Sequence, residues 1–352
     1  MASVVLMLLL LVGLRITRRL RQRRKDRIVA PVRGALLELV CGEEESESEA
    51  SARLTELDDR TWAALEPTVV AMLGKVVGRA QTALIEVFEQ RRAATQTVAD
   101  LGCRSAARRG RAAEVLGRLR HRPAVPALCR LLGDRDPEVR SAAARALGRI
   151  GEPSVVPRLL DSLHGQRTVP PAVITRALTF FGPEALRGIA AGLEHREPVV
   201  RAVAIETLGA IGGVSRTAGI ARSLSEDPHP EVRIRAARAL GRLGMPDGLE
   251  PLLAAVDPGQ PLALRTVAAG ALGNLGAVAA TGRLRELLDD PAQRVAATAA
   301  RSLLRLGEAG SAELRAAAAG RFGARAAAQA RAALAESSVA GASFGHVAEV
   351  AP

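Results

Sequence analysis

The segment "PEVRSAAARALGRIG" at residues 137–151 returns almost unchanged as "PEVRIRAARALGRLG" at residues 230–244. The two stretches differ at three of fifteen positions and lie 93 residues apart, which indicates an internal repeat. Leu147 of the first stretch provides an anchor, because a leucine recurs at steps of 30 to 32 residues along this part of the chain. The seven anchor leucines are Leu116, Leu147, Leu178, Leu208, Leu240, Leu272 and Leu303. Seven copies at a nearly constant period predict a repeat array.

Each copy contains two helical patterns, exemplified by residues 124–134 and 138–151, with glycine and proline at the joints. A unit of about 31 residues cannot bury its apolar face alone, so neighbouring units must stack. The chain is 48% hydrophobic but only 2% aromatic, and such a composition suits closely packed helices rich in alanine and leucine. The sequence therefore predicts an all-α fold.

The repeat resembles the HEAT repeat, in particular the short HEAT-like type of the phycobilisome lyase group and of many bacterial helical-repeat proteins. The resemblance covers about residues 95–336 and implies a right-handed α-solenoid of about seven helix pairs in a bacterial protein. It also implies a ladder of ion pairs between an aspartate in the turn and an arginine early in the second helix. The matching residues are Arg109, Asp134, Arg140, Arg201, Asp227, Arg233, Arg265 and Asp290.

The ladder is interrupted in several copies. Pro171 and Ala296 stand at the arginine position of two repeats. At the aspartate position the other residues are Cys103, Gly165, His195 and Gly259. The pattern departs most around Pro171, where we expect an irregular turn.

The N-terminus carries an uncharged apolar run at residues 2–14, followed at once by basic residues. A helix of the first fourteen residues rises only about 21 Å, against a hydrocarbon core of about 30 Å. Arg15 can snorkel, and the next two residues add most of another turn. We therefore predict a transmembrane anchor at residues 1–17, with a cleaved signal peptide and a buried helix as alternatives.

The basic cluster after the apolar run predicts a single pass through the cytoplasmic membrane with the repeats in the cytoplasm, and contact with anionic lipid headgroups. Its members are Arg15, Arg18, Arg19, Arg21, Arg23, Arg24, Lys25 and Arg27. Residues 15–33 hold nine basic residues and one acidic residue, which is +8 of the net +12. This concentration argues against a globally basic nucleic-acid-binding domain.

The remaining segments complete the predicted organisation. Residues 18–50 are predicted as a basic juxtamembrane segment and an acidic linker, and residues 51–94 as a helical N-terminal cap of two helices. The repeats occupy residues 95–336, and residues 337–352 are predicted as a disordered tail.

Catalytic and metal-binding motifs are absent from the sequence. His164 and His195 occupy equivalent places in adjacent repeats, but no carboxylate or thiol joins them at HxxxH or CxxC spacing. The three cysteines are scattered, which indicates reduced thiols. There is no nucleophile elbow or phosphate-binding loop, and the glycines of "LGRIG" and "LGRLG" are interpreted as helix stops. We predict no catalytic residue, no cofactor, no metal and no enzymatic activity.

Arginines recur two residues before and two residues after the anchor leucines, on the helix face opposite the core. Since second helices line the inner surface of HEAT-like solenoids, these residues predict a concave partner-binding stripe. The stripe comprises Arg118, Arg145, Arg149, Arg176, Arg238, Arg242, Arg301 and Arg305. Arginine suits carboxylates and phosphates. A merely solvated face is the alternative. Glu114 and Glu206 interrupt the stripe, which favours a protein partner over nucleic acid.

These observations favour a membrane-tethered, non-catalytic scaffold or adaptor whose partner is an acidic protein. The resemblance leaves a bilin lyase or its partner subunit as one alternative, and the stripe leaves non-specific nucleic-acid binding as another. A HEAT-like repair glycosylase is disfavoured, because tyrosine is absent and Trp62 precedes the repeats.

Overall fold

The structure, a computed structural model, describes residues 27–42 and 44–348 together with Met7 and Arg15. Within these residues all regular structure is helical and there is no strand. The chain divides into two compact units, Met1–Ile150 and Gly151–Pro352.

Among its described residues the first unit has five α-helices before the repeats, and its apolar core continues into the first repeat. These helices are α1 (Arg33–Cys41), α2 (Glu44–Thr55), α3 (Asp59–Leu73), α4 (Arg79–Gln90) and α5 (Ala93–Asp100). Trp62 and Phe88 meet edge to face in this core, with ring centroids 5.1 Å apart. The guanidinium of Arg91 lies over the Trp62 ring and donates to the carbonyl oxygens of Thr55 and Leu57 at 2.6 and 2.7 Å.

Much of the predicted linker at residues 18–50 is helical instead. Helices α1 and α2 occupy this region and extend beyond it, and both pack against α4. Leu36 and Ala50 are buried. Glutamate is a good helix former, so a few apolar residues at helical spacing are enough to hold an acidic segment against a core.

The first unit ends with α6 (Ala106–Arg118), α7 (Val125–Leu131) and α8 (Pro137–Ile150). The second unit continues the alternation of first and second helices. Its helices are α9 (Val156–Asp161), α10 (Pro171–Leu178), α11 (Leu186–Ala191), α12 (Pro198–Ala210), α13 (Thr217–Glu226), α14 (Pro230–Leu243), α15 (Leu249–Ala255), α16 (Leu262–Leu275), α17 (Thr281–Glu286), α18 (Gln293–Arg305), α19 (Gly307–Ala318) and α20 (Ala324–Ala348). Even numbers from α6 to α18 denote second helices.

One-turn 3-10 helices lead into most first helices and accompany several other joints. They are Ala30–Val32, Arg122–Ala124, Pro153–Val155, Pro183–Ala185, Gly192–Glu194, Val214–Arg216, Pro246–Gly248, Val278–Ala280 and Leu287–Asp289. Proline fixes φ near the value that the first helical turn requires, which explains its frequency at these joints.

Each second helix from α6 to α18 carries one of the seven anchor leucines, and all seven are completely buried. In the first unit α6 packs against α8, and in the second unit α12, α14, α16 and α18 pack in succession. The predicted all-α repeat is confirmed at this level.

A glycine seam lets these second helices approach closely. A Cβ added at Gly241 would lie 2.7 Å from the Cα atom of Ala271 in the next second helix. The residue after the anchor leucine is glycine in α6, α8, α12, α14 and α16. In α6, α12, α14 and α16 the residue that faces this glycine is alanine or serine. By contrast Gly244, with φ +66°, ends α14. Only the last glycine of "LGRLG" is therefore the predicted helix stop, whereas the first is a packing residue.

The prediction of a single pass through the cytoplasmic membrane is wrong, because no helix in the described part of the chain is long and apolar enough to cross a membrane. The proposed anchor at residues 1–17 itself lies outside the described residues, apart from Met7 and Arg15.

The C-terminal segment also differs from its prediction. Helix α20 continues to Ala348, so residues 337–348 are helical where the sequence predicted a disordered tail. Residues 349–352 lie outside the described residues. Alanine has the highest intrinsic helix propensity, and the buried Ala326 and Ala330 dock the start of this helix.

Candidate partner-binding surface

Ion pairs between successive second helices and turns form the rungs of the ladder. Arg109 donates from Nε and Nη2 to both carboxylate oxygens of Asp134, at 2.8 and 2.7 Å. Arg201 does the same to Asp227, at 2.6 and 2.9 Å. Each arginine thus reaches the aspartate of the following repeat, and these side chains are largely buried. Such two-point pairing fixes orientation as well as distance.

A third rung joins Arg265 to Asp290. In every rung the aspartate also accepts the backbone N–H two residues further on, at 2.8 or 2.9 Å. Burial alone would raise the pKa of Asp134 and Asp227, but the arginine and backbone hydrogen bonds outweigh it and hold the pKa of each carboxyl below its usual value. The rungs are therefore ionised ion pairs with structural roles.

The other predicted ladder arginines have different acceptors. Arg140 donates to the backbone carbonyl oxygen of Asp134 at 2.9 Å, and Arg233 donates to the side-chain oxygen of Gln260 at 2.9 Å. In the repeat that follows the one where Pro171 replaces the arginine, Nδ1 of His195 accepts the backbone N–H of Glu197 at 3.0 Å. His195 thus performs the capping part of the aspartate role without an arginine partner.

The predicted stripe residues all occupy positions that solvent reaches. Arg176, Arg238, Arg242, Arg301 and Arg305 are exposed. Arg118, Arg145 and Arg149 are half-buried. The residues directly before and after each anchor leucine are mostly buried. The positions two residues away, where the stripe arginines stand, are therefore the ones that face solvent.

In the first unit the stripe is partly neutralised by its own acid. Arg118 donates to Glu114 at 2.9 Å and to the backbone carbonyl oxygen of Val70 at 2.7 Å. Arg149 lies 3.8 Å from the same carboxylate. The hydrogen bond from Arg118 lowers the pKa of Glu114, and nearby Arg149 and Arg145 lower it further against the effect of burial. Arg118 and Arg149 are thus engaged in contacts within the protein.

In the second unit the stripe retains available charge. Arg238 and Arg242 of α14 are exposed, and neither forms an ion pair or hydrogen bond through its side chain with any residue that the structure describes. Glu206, which interrupts the stripe, pairs with Arg235. At the far end Arg305 donates to Asn274 at 3.1 Å.

An apolar groove, which the sequence analysis missed, lies on the same face of α14. It has a volume of about 380 Å³ and is lined by residues at the start of α12 and α14 together with Pro171. Glu231 and Arg235 border it, and they precede Arg238 and Arg242 at helical spacing. The groove opens where proline replaces the ladder arginine, a departure that the sequence does show.

The membrane-proximal cluster lies mostly outside the described residues. Of its eight residues only Arg15 and Arg27 are described, and both are exposed. The other six lie outside the described residues.

Repeated helix pairs with buried anchors and ion-paired turns define an all-α helical-repeat protein. A family model of HEAT repeats matches residues 97–179, 185–267 and 217–305, which is more than half of the chain. The chain belongs to the HEAT-repeat family.

Three solved structures illustrate the range of similar folds. The complex of CpcE and CpcF of phycocyanin lyase from Nostoc sp. PCC7120 is 26% identical over 63% of this chain and 92% of that chain, with a TM-score of 0.34. Human deoxyhypusine hydroxylase in complex with glycerol is 20% identical over 79% and 96% of the two chains, with a TM-score of 0.32. Such TM-scores carry no argument about function.

Kap95p is 12% identical over 90% of this chain and 52% of its own, with a TM-score of 0.52. Its binding induces the switch loops of RanGDP to adopt the GTP-bound conformation. At this identity the likeness shows the fold alone. A comparison with curated proteins finds no match.

Proposed function

We propose that this HEAT-repeat protein is a non-catalytic scaffold or adaptor whose second unit binds an acidic protein partner. The observation that carries the proposal is the pair of exposed arginines in α14, Arg238 and Arg242, which have no side-chain partner among the described residues. Guanidinium groups that are free to form two-point hydrogen bonds are suited to carboxylates of a partner.

The adjacent groove supplies the apolar part of the surface. Protein interfaces derive most of their affinity from a few side chains that fill apolar pockets, with charged residues around them. A groove of about 380 Å³, bordered by Arg235 one turn before Arg238 on α14, has room for such an anchor. We infer a partner segment with an apolar residue for the groove and acidic residues next to it.

The charge pattern supports a protein partner over nucleic acid. Glu231 and Glu206 lie on the same side of the surface and both pair with Arg235. A nucleic-acid strand requires a continuous basic track for its phosphates, whereas a folded or peptide partner can match alternating charges. The bilin-lyase alternative, the bacterial origin and the right-handed course of a solenoid stay predictions.

The test is capture of partners from cells of the source organism by the full chain and by Arg238→Glu/Arg242→Glu, followed by affinity measurements with the purified partner. The matched control is Arg216→Glu/Arg222→Glu, which reverses two exposed charges elsewhere in the second unit. We expect the stripe variant to weaken binding at least about tenfold and the control to bind normally.

Equal binding by both double variants contradicts the proposal. Saturable binding of single-stranded DNA that falls steeply with salt, and disappears in the stripe variant alone, would instead support the nucleic-acid alternative.

A further inference from the structure

Three side chains with metal-binding groups converge where two successive repeats lack a rung. Asp161 is the last residue of α9, His164 follows it in the turn, and His195 precedes α12. One carboxylate oxygen of Asp161 and one ring nitrogen of each histidine all lie within 4.8 Å of one another. The two imidazole rings are 5.3 Å apart between centroids and inclined at 38°.

One atom of this cluster lacks the partner that its burial demands. Nε2 of His164 is buried and accepts or donates no hydrogen bond within the described part of the chain. The nearest carboxylate oxygen, on Asp161, is 4.0 Å away, which is too long for a hydrogen bond. Buried polar atoms are nearly always satisfied, and a ligand held between this imidazole nitrogen and the carboxylate would satisfy both.

We propose that Asp161, His164 and His195 bind a divalent transition-metal ion, with water completing its coordination. Two imidazoles and one carboxylate are a donor set that suits Zn²⁺ and its neighbours rather than Ca²⁺ or Mg²⁺. At metal–ligand distances of about 2.1 Å, ligand atoms on one ion lie roughly 3.3 Å apart, so the donors must draw closer by up to about 1.5 Å. Asp161 is exposed at a helix end and can move.

Binding to His195 costs its present hydrogen bond. Nδ1 of His195 accepts the N–H of Glu197. An ion at Nδ1 displaces that N–H, whereas an ion at Nε2 requires the ring proton to move to Nδ1, where it opposes the N–H. In either case the hydrogen bond is lost, so the affinity is lower than in a preformed site.

The position of the site gives the ion a structural role. Asp161 and His164 belong to one repeat and His195 to the next, and Pro171 occupies the place of the arginine that would otherwise link these repeats. A bound ion therefore connects two successive repeats where the ladder has no rung.

The test uses the full chain, freed of metal with a chelator and then titrated with ZnCl₂ by calorimetry, with Co²⁺ absorption as a second measurement. We expect one equivalent to bind and the melting temperature to rise. Asp161→Asn, His164→Ala and His195→Asn should each lower the affinity at least about tenfold, since even outer-shell substitutions cost that much at metal sites. Asparagine at 195 retains an oxygen for the Glu197 N–H, so this variant keeps the local fold.

The control is His229→Asn, which removes an exposed histidine from the same unit. Zn²⁺ affinity that is equal in all four variants, or no saturable binding, overturns the proposal. So does a Co²⁺ spectrum with thiolate charge-transfer bands, because it would assign the ion to Cys41, Cys103 or Cys129 instead.

Discussion

The helices α12 to α18 and the helices α9 to α11 belong to the same unit, yet different contacts hold them together. The first group has the rungs Arg201–Asp227 and Arg265–Asp290 and a glycine in each seam between second helices. In the second group Pro171 and His195 stand at the rung positions, and an exposed threonine, Thr179, follows the anchor leucine. Helix α10 has eight residues, whereas α14 has 14.

The difference shows that regularity in this family depends on contacts between repeats. The anchor leucine is buried in both groups, so the hydrophobic core alone does not require a rung or a glycine. Where these contacts are missing, groups with other chemical uses are found: the Asp161–His164–His195 cluster and Phe180, which is 56% exposed. Relaxed packing constraints leave such positions open to function.

The largest effect on stability is expected when the carboxylate of one rung is removed. Asp227→Ala leaves the guanidinium of Arg201, which is 13% exposed, without its counter-ion. We expect the free energy of unfolding to fall by about 3 kcal/mol, because an uncompensated buried charge remains. Urea denaturation followed by circular dichroism measures the change, and a loss below about 1 kcal/mol contradicts the structural role of the rung.

The double variant Arg201→Met/Asp227→Leu serves as the matched control for the rung. It removes both charges and fills the space with apolar side chains, so it should be more stable than Asp227→Ala. If the double variant is less stable than Asp227→Ala, the ion pair itself contributes more to the free energy of unfolding than is regained by removing the orphaned charge.

The glycine seam should give the second-largest effect. In Gly241→Ala the new Cβ lies 2.7 Å from the Ala271 backbone, so one of the two helices must move. We expect a loss of about 2 kcal/mol in unfolding free energy. Gly282→Ala is the control, since its Cβ meets no atom within 4 Å and alanine favours helix. Equal melting temperatures for the two variants would show that the seam is loose.

Acid should weaken the rung-bearing repeats before the others. The folded-state pKa of Asp134 and Asp227 is lowered, so their stabilisation is complete above the unfolded-state pKa of about 3.9 and is lost as pH falls towards the lower folded value. Hydrogen exchange at decreasing pH should show protection lost around α13 and α14 earlier than around α9 and α10. Asp227→Asn should reduce this pH dependence, and an unchanged dependence contradicts the assignment.

The smallest effect is expected at the rungless repeat. His195→Asn, measured with a chelator present, retains an acceptor for the Glu197 N–H and orphans no charge. Its unfolding free energy should stay within about 0.5 kcal/mol of the wild-type value. A loss of unfolding free energy comparable to that of Asp227→Ala would mean that the contacts of His195 stabilise the protein as much as a rung does.

The sequence predicted the repeats but not how neighbouring repeats contact each other. The period of about 31 residues located the second helix of each repeat, because burial of one leucine per repeat needs only local helical spacing. It missed α2, whose few apolar residues are sparse within charged sequence, and α1, an apolar helix of only nine residues. It also took Gly241 for a helix stop, since the pattern of one helix does not show how near the next one lies.

The Asp161–His164–His195 cluster was not predicted as a set. The sequence paired His164 with His195 through their equivalent places in adjacent repeats but left out Asp161, which the structure places beside them. Spacing motifs detect ligands on a single helix or loop, and this set is assembled across two turns.

By itself the amino-acid sequence determined the helical repeat, its period and the residues that form its core, because these follow from which side chains a helix buries every three or four positions. Only the tertiary structure decided which arginine meets which aspartate, which glycines allow contact and which charges stay available, because each depends on atoms from neighbouring repeats that lie about 30 residues away along the chain.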